Sequence, residues 1–413
     1  MRIVSGRAAS ALIQRLAARG VQFTRLEPRV RRIVESVRRG GDPSLRRYAE
    51  RWDGLETRQP VRVPEEEMAT ALREIVRELR QSLLQAAQNI RQFSEWQKPG
   101  DWMRSRNGIS LGQMVRPLES VGCYVPGGRY PLVSTLLMTV IPAQVAGVNN
   151  IRVVSPKPSA AVLAAAGLLG VREFYRVGGA QAIAALAYGT TTIPRVDRIV
   201  GPGNAYVTVA KKLVSFDCAI DFLAGPTEAV VLSDSGVPEF IAADLVAQAE
   251  HDPETLSLLI TTSRELARSV RVSAAQLAKG NPIAQKSLQV RGAILVAKSR
   301  EQARDWANQV APEHITVAED DVPFIHNAGS VFVGDYSAQA AGDYASGPNH
   351  VLPTSGHARF RGGLSVADFV KVITVQHLSA KGLRGIESTI DCLAGAEGLP
   401  AHARSIQVRC ERA

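Results

Sequence analysis

IRVVSPKPSAAVLAAAGLLGVREFYRV, residues 151–177, decides the fold. Ile151–Val154 is a short apolar run that reads as a buried strand, SAAVLAAAGLL (159–169) reads as a helix, and Phe174–Val177 reads as the next strand. The alternation continues downstream. Ala180–Ala187, Ala205–Val214 and residues 238–251 have helical patterns. Arg198–Val200, Ala229–Leu232, Leu256–Ile260, Ala293–Val296 and Ser330–Val333 read as strands. Strands that are apolar at successive positions are buried on both faces, so the expected class is α/β with mainly parallel sheets. Upstream, the first 110 residues read as mostly helical, with few breakers over 65–95. The last fifty residues also read as helical and end in a short strand at Ile406–Val408, with Arg361-Gly362-Gly363 as a hinge before them. No internal repeat is visible.

At 413 residues the chain is long enough for two or three domains. Its 45% hydrophobic and 21% charged residues are those of a soluble globular protein. No apolar run reaches the eighteen residues of a membrane span. The Arg-rich start lacks the apolar core of a secretory leader. Cys123, Cys218, Cys392 and Cys410 form no C-x-x-C pair, and scattered reduced thiols suit the cytoplasm. The net charge is +10, and residues 1–62 hold fifteen Arg against six acidic residues. No stacking aromatics interleave those arginines, so a solvated helical surface is expected rather than a nucleic-acid interface.

Several short segments could carry chemistry. In DLVAQAEHDP (244–253), Pro238 and Glu239 suit a helix start and Pro253 a stop. Gln248 and His251 then fall on one helix face, where both could reach one metal ion. Glu313 and His314 follow Pro312 and precede an apolar strand, Ile315–Val317. Histidine titrates near neutrality and suits proton removal from an alcohol, and glutamate can activate water. GDYASGPNHVLP (342–353) offers Asp343 and His350 from a loop, and zinc accepts Asp as well as His. AEGLPAH (396–402) adds an isolated His402. Two glycine-rich turns, Tyr124–Gly128 and Ile199–Asn204, could receive phosphate, but neither completes the G-x-G-x-x-G fingerprint. Taken singly, each segment is better explained by ordinary turn, loop or core chemistry.

Their identity and order are more specific. AGPTE (224–228), QAEH (248–251), PEH (312–314), GDYASGPNHVLP (342–353), SVADF (365–369) and AEGLPAH (396–402) resemble the histidinol dehydrogenase family. So do YVPGG (124–128), GGAQAIAALAYGT (178–190) and VGPGNAYV (200–207), and the likeness spans roughly residues 25–410. The resemblance implies two Rossmann-like domains, a helical N-terminal arm (1–22) and a helical C-terminal tail (361–413), in a domain-swapped homodimer. The substrate and zinc domain would comprise 23–113 and 228–360, and the NAD domain 114–227. It implies one zinc per site on Gln248, His251, Asp343 and His402, the last supplied by the partner subunit. Glu313 and His314 would do the proton chemistry. Thr227, His350 and Glu397 would contact substrate alongside those two and the four metal ligands. Tyr124, Gln181 and Asn204 would contact NAD. The activity implied is oxidation of L-histidinol through L-histidinaldehyde to L-histidine with two NAD, in the cytoplasm, with no nucleic acid or membrane as partner.

One pair departs from the pattern. Arg129-Tyr130 stands where many members carry small residues, and related enzymes that oxidise sulfonated diols also have Arg-Tyr there. A hydroxysulfonate or other small polyol is therefore the alternative substrate.

Overall fold

The computed structural model describes residues 1–20, 24–127 and 132–412. β1 (Arg2–Ser5) and α1 (Gly6–Ala17) open the chain, followed by α2 (Glu27–Tyr48), α3 (Glu65–Glu74) and α4 (Arg77–Gln97). β2 (Trp102–Arg106) and β3 (Ile109–Pro117) come next. A first alternating unit then runs β4 (Ser120–Tyr124), α5 (Val133–Ala146), β5 (Asn150–Val154), α6 (Ala160–Leu168), β6 (Glu173–Tyr175), α7 (Gly179–Tyr188), β7 (Arg198–Val200), α8 (Ala205–Val214) and β8 (Ala219–Ile220). A second runs β9 (Glu228–Leu232), α9 (Pro238–Ala249), β10 (Leu256–Thr261), α10 (Arg264–Leu277), α11 (Pro282–Val290), β11 (Ala293–Val296), α12 (Arg300–Val310), β12 (His314–Val317), β13 (Ser330–Val333) and α13 (Gln339–Tyr344). β14 (Val370–Leu378), α14 (Ala380–Arg384), α15 (Glu387–Ala396) and α16 (Pro400–Cys410) close the chain.

The first unit forms a five-stranded parallel sheet in the order β6-β5-β4-β7-β8. The second forms a six-stranded parallel sheet in the order β1-β11-β10-β9-β12-β13. Leaving aside the edge strand β1, the two orders match: β4 or β9 in the centre, the next two strands to one side, the last two to the other. This topological repeat left no trace that the sequence reading detected, because it lies in strand order rather than in residue identity.

Both sheets are covered on two faces, as continuous apolar strands require. In the six-stranded sheet, Val230, Leu232, Leu258 and Ile260 meet Ile13 of α1 and Trp306 of α12. Val231, Leu259 and Ile294 point the other way, into α9, α10 and α11. The five-stranded sheet is sandwiched similarly, and its covering helices include α2, α3 and α4. Residues 30–90 therefore share a core with 121–222 rather than with 228–333, a different division from the expected boundaries.

Four local expectations need correction. Residues 1–22 are not simply helical: Arg2–Ser5 adds an edge strand to the six-stranded sheet. Residues 102–117 form two antiparallel strands, and β14 pairs with β3 to complete a separate three-stranded sheet. The tail thus contains the strand β14, preceded by a short 3-10 helix at Val366–Phe369, before its helices begin. Ile406–Val408 lies inside α16 instead of forming a strand. The Arg361–Gly363 hinge is pinned, with Arg361 paired to Asp368 and lying over the Phe222 ring.

Candidate active site

The six-stranded sheet gathers the acid–base residues at its amino edge. α12 ends on Ala311 in the left-handed region (φ 47°), and Pro312 follows. A helix cannot continue through that sequence, so the chain turns and delivers Glu313 and His314 to the start of β12. Both are buried. Neighbouring β9 starts at Glu228, whose main-chain N–H donates to Glu313 Oε2 at 3.0 Å. α9 runs back from β9, so its last turn brings Gln248 to the same edge. α13 likewise returns from β13 and brings Asp343.

The side chains then meet. Gln248 Nε2 donates to Asp343 Oδ2 at 2.8 Å, and His314 Nε2 lies 3.3 Å from Asp343 Oδ1. His314 Nδ1 is buried without a hydrogen-bond partner, 3.8 Å from Glu313 Oε2. His350 Nδ1 lies 2.7 Å from the Asp343 carbonyl, which can only accept, so Nδ1 carries the proton. Its Nε2 then accepts from Thr135 Oγ1 at 3.2 Å. Thr135 belongs to α5, so His350 joins the two sheet layers.

Burial dominates the electrostatics. It pushes the Glu313 carboxyl up to about 8. Burial alone would lower His314, but the Glu313 and Asp343 carboxylates outweigh it and hold the imidazole above its usual value. Burial would raise Asp343, yet the His314 contact keeps it below the ordinary carboxylate range. His350 is lowered, chiefly by burial. Glu313, buried and proton-prone beside an imidazole, can exchange protons near neutral pH.

Two expected site residues need a different description. α9 stops at Ala249, so Gln248 and His251 do not share a helix face. The His251 N–H instead bonds to the Gln248 carbonyl in a final turn at 3.3 Å, and His251 is exposed beside a cleft that also includes Glu250, Leu137 and Tyr344. His402 and Glu397 lie on the exposed tail, apart from the others. Thr227 sits next to Glu228, half-buried. Arg129 and Tyr130 lie outside the described residues.

An amide oxygen, a carboxylate and an imidazole are a donor set that zinc, manganese and cobalt accept. Gln248 and Asp343 touch, and His251 follows Gln248 by one turn. In chemistry the residues fit a divalent cation. Among the described residues of one chain, however, no group of three His, Cys, Asp or Glu side chains is arranged to hold a metal.

The second cleft is built by the five-stranded sheet. Its strand order reverses between β4 and β7, and ligands of open parallel sheets bind beyond the carboxyl ends at such a point. Gly201 makes the close approach possible: at φ +111°, a Cβ there would stand 2.2 Å from the Tyr124 carbonyl. The cleft measures about 450 Å³ and includes Tyr124, Gln181 and Asn204. Asn204 Oδ1 caps α8, accepting from Tyr206 and Val207 N–H at 3.0 and 3.2 Å. The Gly179 N–H donates to Tyr124 Oη at 3.0 Å.

Sequence reading missed several residues here. Asp53 is buried and accepts from Gly178 N–H and Gln181 Nε2, both at 3.0 Å. Lys157 lies at the same cleft. Asp244, pushed up to about 6 by burial, accepts from the Gln339 N–H one turn before Gln248. Asp53 and Lys157 stand in no spaced motif, and Asp244, though it opens DLVAQAEHDP, is marked only by the fold.

Two parallel sheets, a cleft at a topological switch point and a buried carboxylate–imidazole pair define an α/β enzyme of the dehydrogenase kind. The histidinol dehydrogenase family model matches residues 17–410, and the chain belongs to that family, whose members are NAD-linked and zinc-binding. A histidinol dehydrogenase from Methanothermobacter thermautotrophicus is 47% identical over 392 residues, covering 91% of this chain and 92% of that protein. One from Thermus thermophilus is 46% identical, with 97% and 99% covered. The crystal structure of histidinol dehydrogenase from Elizabethkingia anophelis superposes with a TM-score of 0.94 at 36% identity, covering 100% of this chain and 98% of that one. These similarities do not favour the sulfonate reading. No helix among the described residues is long and apolar enough to cross a membrane.

Proposed function

We propose that the protein oxidises L-histidinol through L-histidinaldehyde to L-histidine, reducing two NAD. The observation that carries this reading is the meeting of Gln248, Asp343 and the Glu313–His314 pair at one sheet edge, in a chain similar over its whole length to histidinol dehydrogenases. Zinc held at this site would supply an orienting template for the substrate, and NAD in the second cleft would supply the hydride acceptor.

The chain's own residues do the rest. Gln248, His251 and Asp343 would hold the metal, with His402 of a second copy as the remaining donor. His314 Nε2 faces the Gln248–Asp343 end of the site and is hydrogen-bonded to Asp343; with Asp343 turned to the metal, that nitrogen would be free to take the hydroxyl proton. Glu313, on the Nδ1 side of the same ring, helps water add to the aldehyde. Once His314 has passed its first proton to solvent, it takes a second as the hydrate is oxidised. Thr227 and His350 would line the substrate, joined by Glu397 of the second copy's tail. Tyr124, Gln181 and Asn204 hold NAD in a degenerate Rossmann-like unit, consistent with the incomplete glycine fingerprint.

A homodimer with exchanged tails follows from the same reading. α16 buries none of its residues in one chain, and Leu393 and Leu399 are exposed beside it. Trp102, Met103, Leu111, Val372 and Ile373 are exposed on the three-stranded sheet. Apolar surface of that extent calls for a partner.

The test is the NADH yield from L-histidinol run to completion. Two NADH per substrate are expected, and a yield of one, or none, overturns the reading.

A further inference from the structure

The N-terminal arm ends in a contact that the reaction above leaves unused. Just beyond α1, Arg19 Nη1 donates to the Leu16 carbonyl at 2.6 Å, which ties the guanidinium to the end of its own helix. The same guanidinium grips Glu228, 209 positions away, with Nε on Oε1 at 2.7 Å and Nη2 on Oε2 at 2.6 Å. The Ser355 N–H adds a third bond to Oε1 at 2.9 Å. The Glu228 side chain is 5% exposed. Its main-chain N–H is the donor that holds Glu313 Oε2 at 3.0 Å.

A two-pronged arginine–carboxylate bond fixes orientation as well as distance, which a lysine cannot reproduce. Clamping the Glu228 side chain therefore restrains the amino end of β9, and with it the N–H that aims the Glu313 carboxylate. α1 anchors the clamp from the other side, because Ile13 and Ala9 are packed into the six-stranded sheet.

We propose that Arg19 is a positioning residue for Glu313: acting through Glu228, it sets the orientation of the carboxylate that activates water in the second oxidation. The proposal rests on the assignment of Glu313 made above. It also assigns a task to one arginine of the basic N-terminal region.

The experiment uses full-length, zinc-loaded protein carrying Arg19→Met or Arg19→Lys, each with and without Glu313→Gln. NADH formation is followed with L-histidinol and with L-histidinaldehyde supplied directly. Arg19→Met is expected to lower kcat on the aldehyde by at least about tenfold, with KM changed less than about threefold, because small displacements of a reacting group are costly. Arg19→Lys is expected to lose less. With Glu313→Gln already present, Arg19→Met should cost less than about twofold more, since the group it orients has gone. An equal loss in both backgrounds, or a lower Tm with kcat unchanged, overturns the proposal. If Arg19→Met does not fold, the same comparison with Arg19→Lys decides. Wild-type protein that yields two NADH per L-histidinol while the Arg19 variants behave normally sinks this inference alone. Wild-type protein that does not yield two sinks the parent reading and this one with it.

Discussion

Gln248 and Asp343, 95 positions apart, are joined by a 2.8 Å hydrogen bond from the amide Nε2 to the carboxylate Oδ2. Gln248→Ala removes a proposed metal donor and the hydrogen bond that orients Asp343, the other proposed donor. Metal retention after dialysis against a zinc buffer should fall at least about tenfold. Elemental analysis checks this, and a variant that keeps stoichiometric zinc would remove Gln248 from the ligand set.

His314 and Glu313 should separate kinetically. His314→Asn is expected to lower NADH formation from L-histidinol by about 10²–10⁴-fold, the usual contribution of a general base, with KM little changed. Glu313→Gln should spare the first hydride transfer and slow the second, so that single-turnover traces show one fast NADH equivalent. Near-normal turnover in both variants would refute the assignment.

Glu313 also makes stability depend on pH. Burial raises its carboxyl to about 8, against an unfolded value of about 4.3. Folding therefore takes up a proton between those values, and stability falls as pH rises across the window. Glutamine cannot ionise. In metal-stripped protein, the Tm of Glu313→Gln should gain on that of the wild type between about pH 5 and about pH 8.5. A constant difference in calorimetry would mean that Glu313 is not held neutral.

The tail can be tested by complementation. His402→Asn and Gln248→Ala chains should each be inactive alone. Co-expressed, half of the dimers are mixed, and each mixed dimer has one intact site, so about a quarter of wild-type activity should return. No recovery would show that both residues serve the same chain.

Asp53→Ala reads the second cleft. Loss of the carboxylate leaves the Gly178 N–H and the Gln181 amide without their acceptor. An unsatisfied buried donor costs on the order of 1–3 kcal/mol, so KM for NAD should rise about tenfold with KM for L-histidinol unchanged. Equal effects on both would place Asp53 in general stability instead.

Residues 151–177 made the α/β class legible because burial on both faces writes unbroken apolar runs, and the covering helices have their own period. β2 and β14 were illegible for the opposite reason. Nearly all of their residues are exposed or half-exposed in one chain, so neither carries the alternation that marks a half-buried strand. Ile406–Val408 misled because three residues cannot distinguish a strand from a turn of helix. The motif residues Gln248, Glu313, His314 and Asp343 could be picked out by identity, whereas Arg19 and Asp53 stand in no motif, and Glu228 and Asp244, inside AGPTE and DLVAQAEHDP, carried no sign there of what they touch.

Sequence by itself determined the alternation of elements, the family to which they belong and the side chains able to do acid–base and metal chemistry. Tertiary structure decided that these side chains meet at the amino edge of one sheet, that the first five residues extend that sheet, and that Arg19 reaches Glu228. The physical reason is range. Propensity and periodicity act over about ten neighbouring residues, while strand order and helix return bring together groups 95 and 209 positions apart.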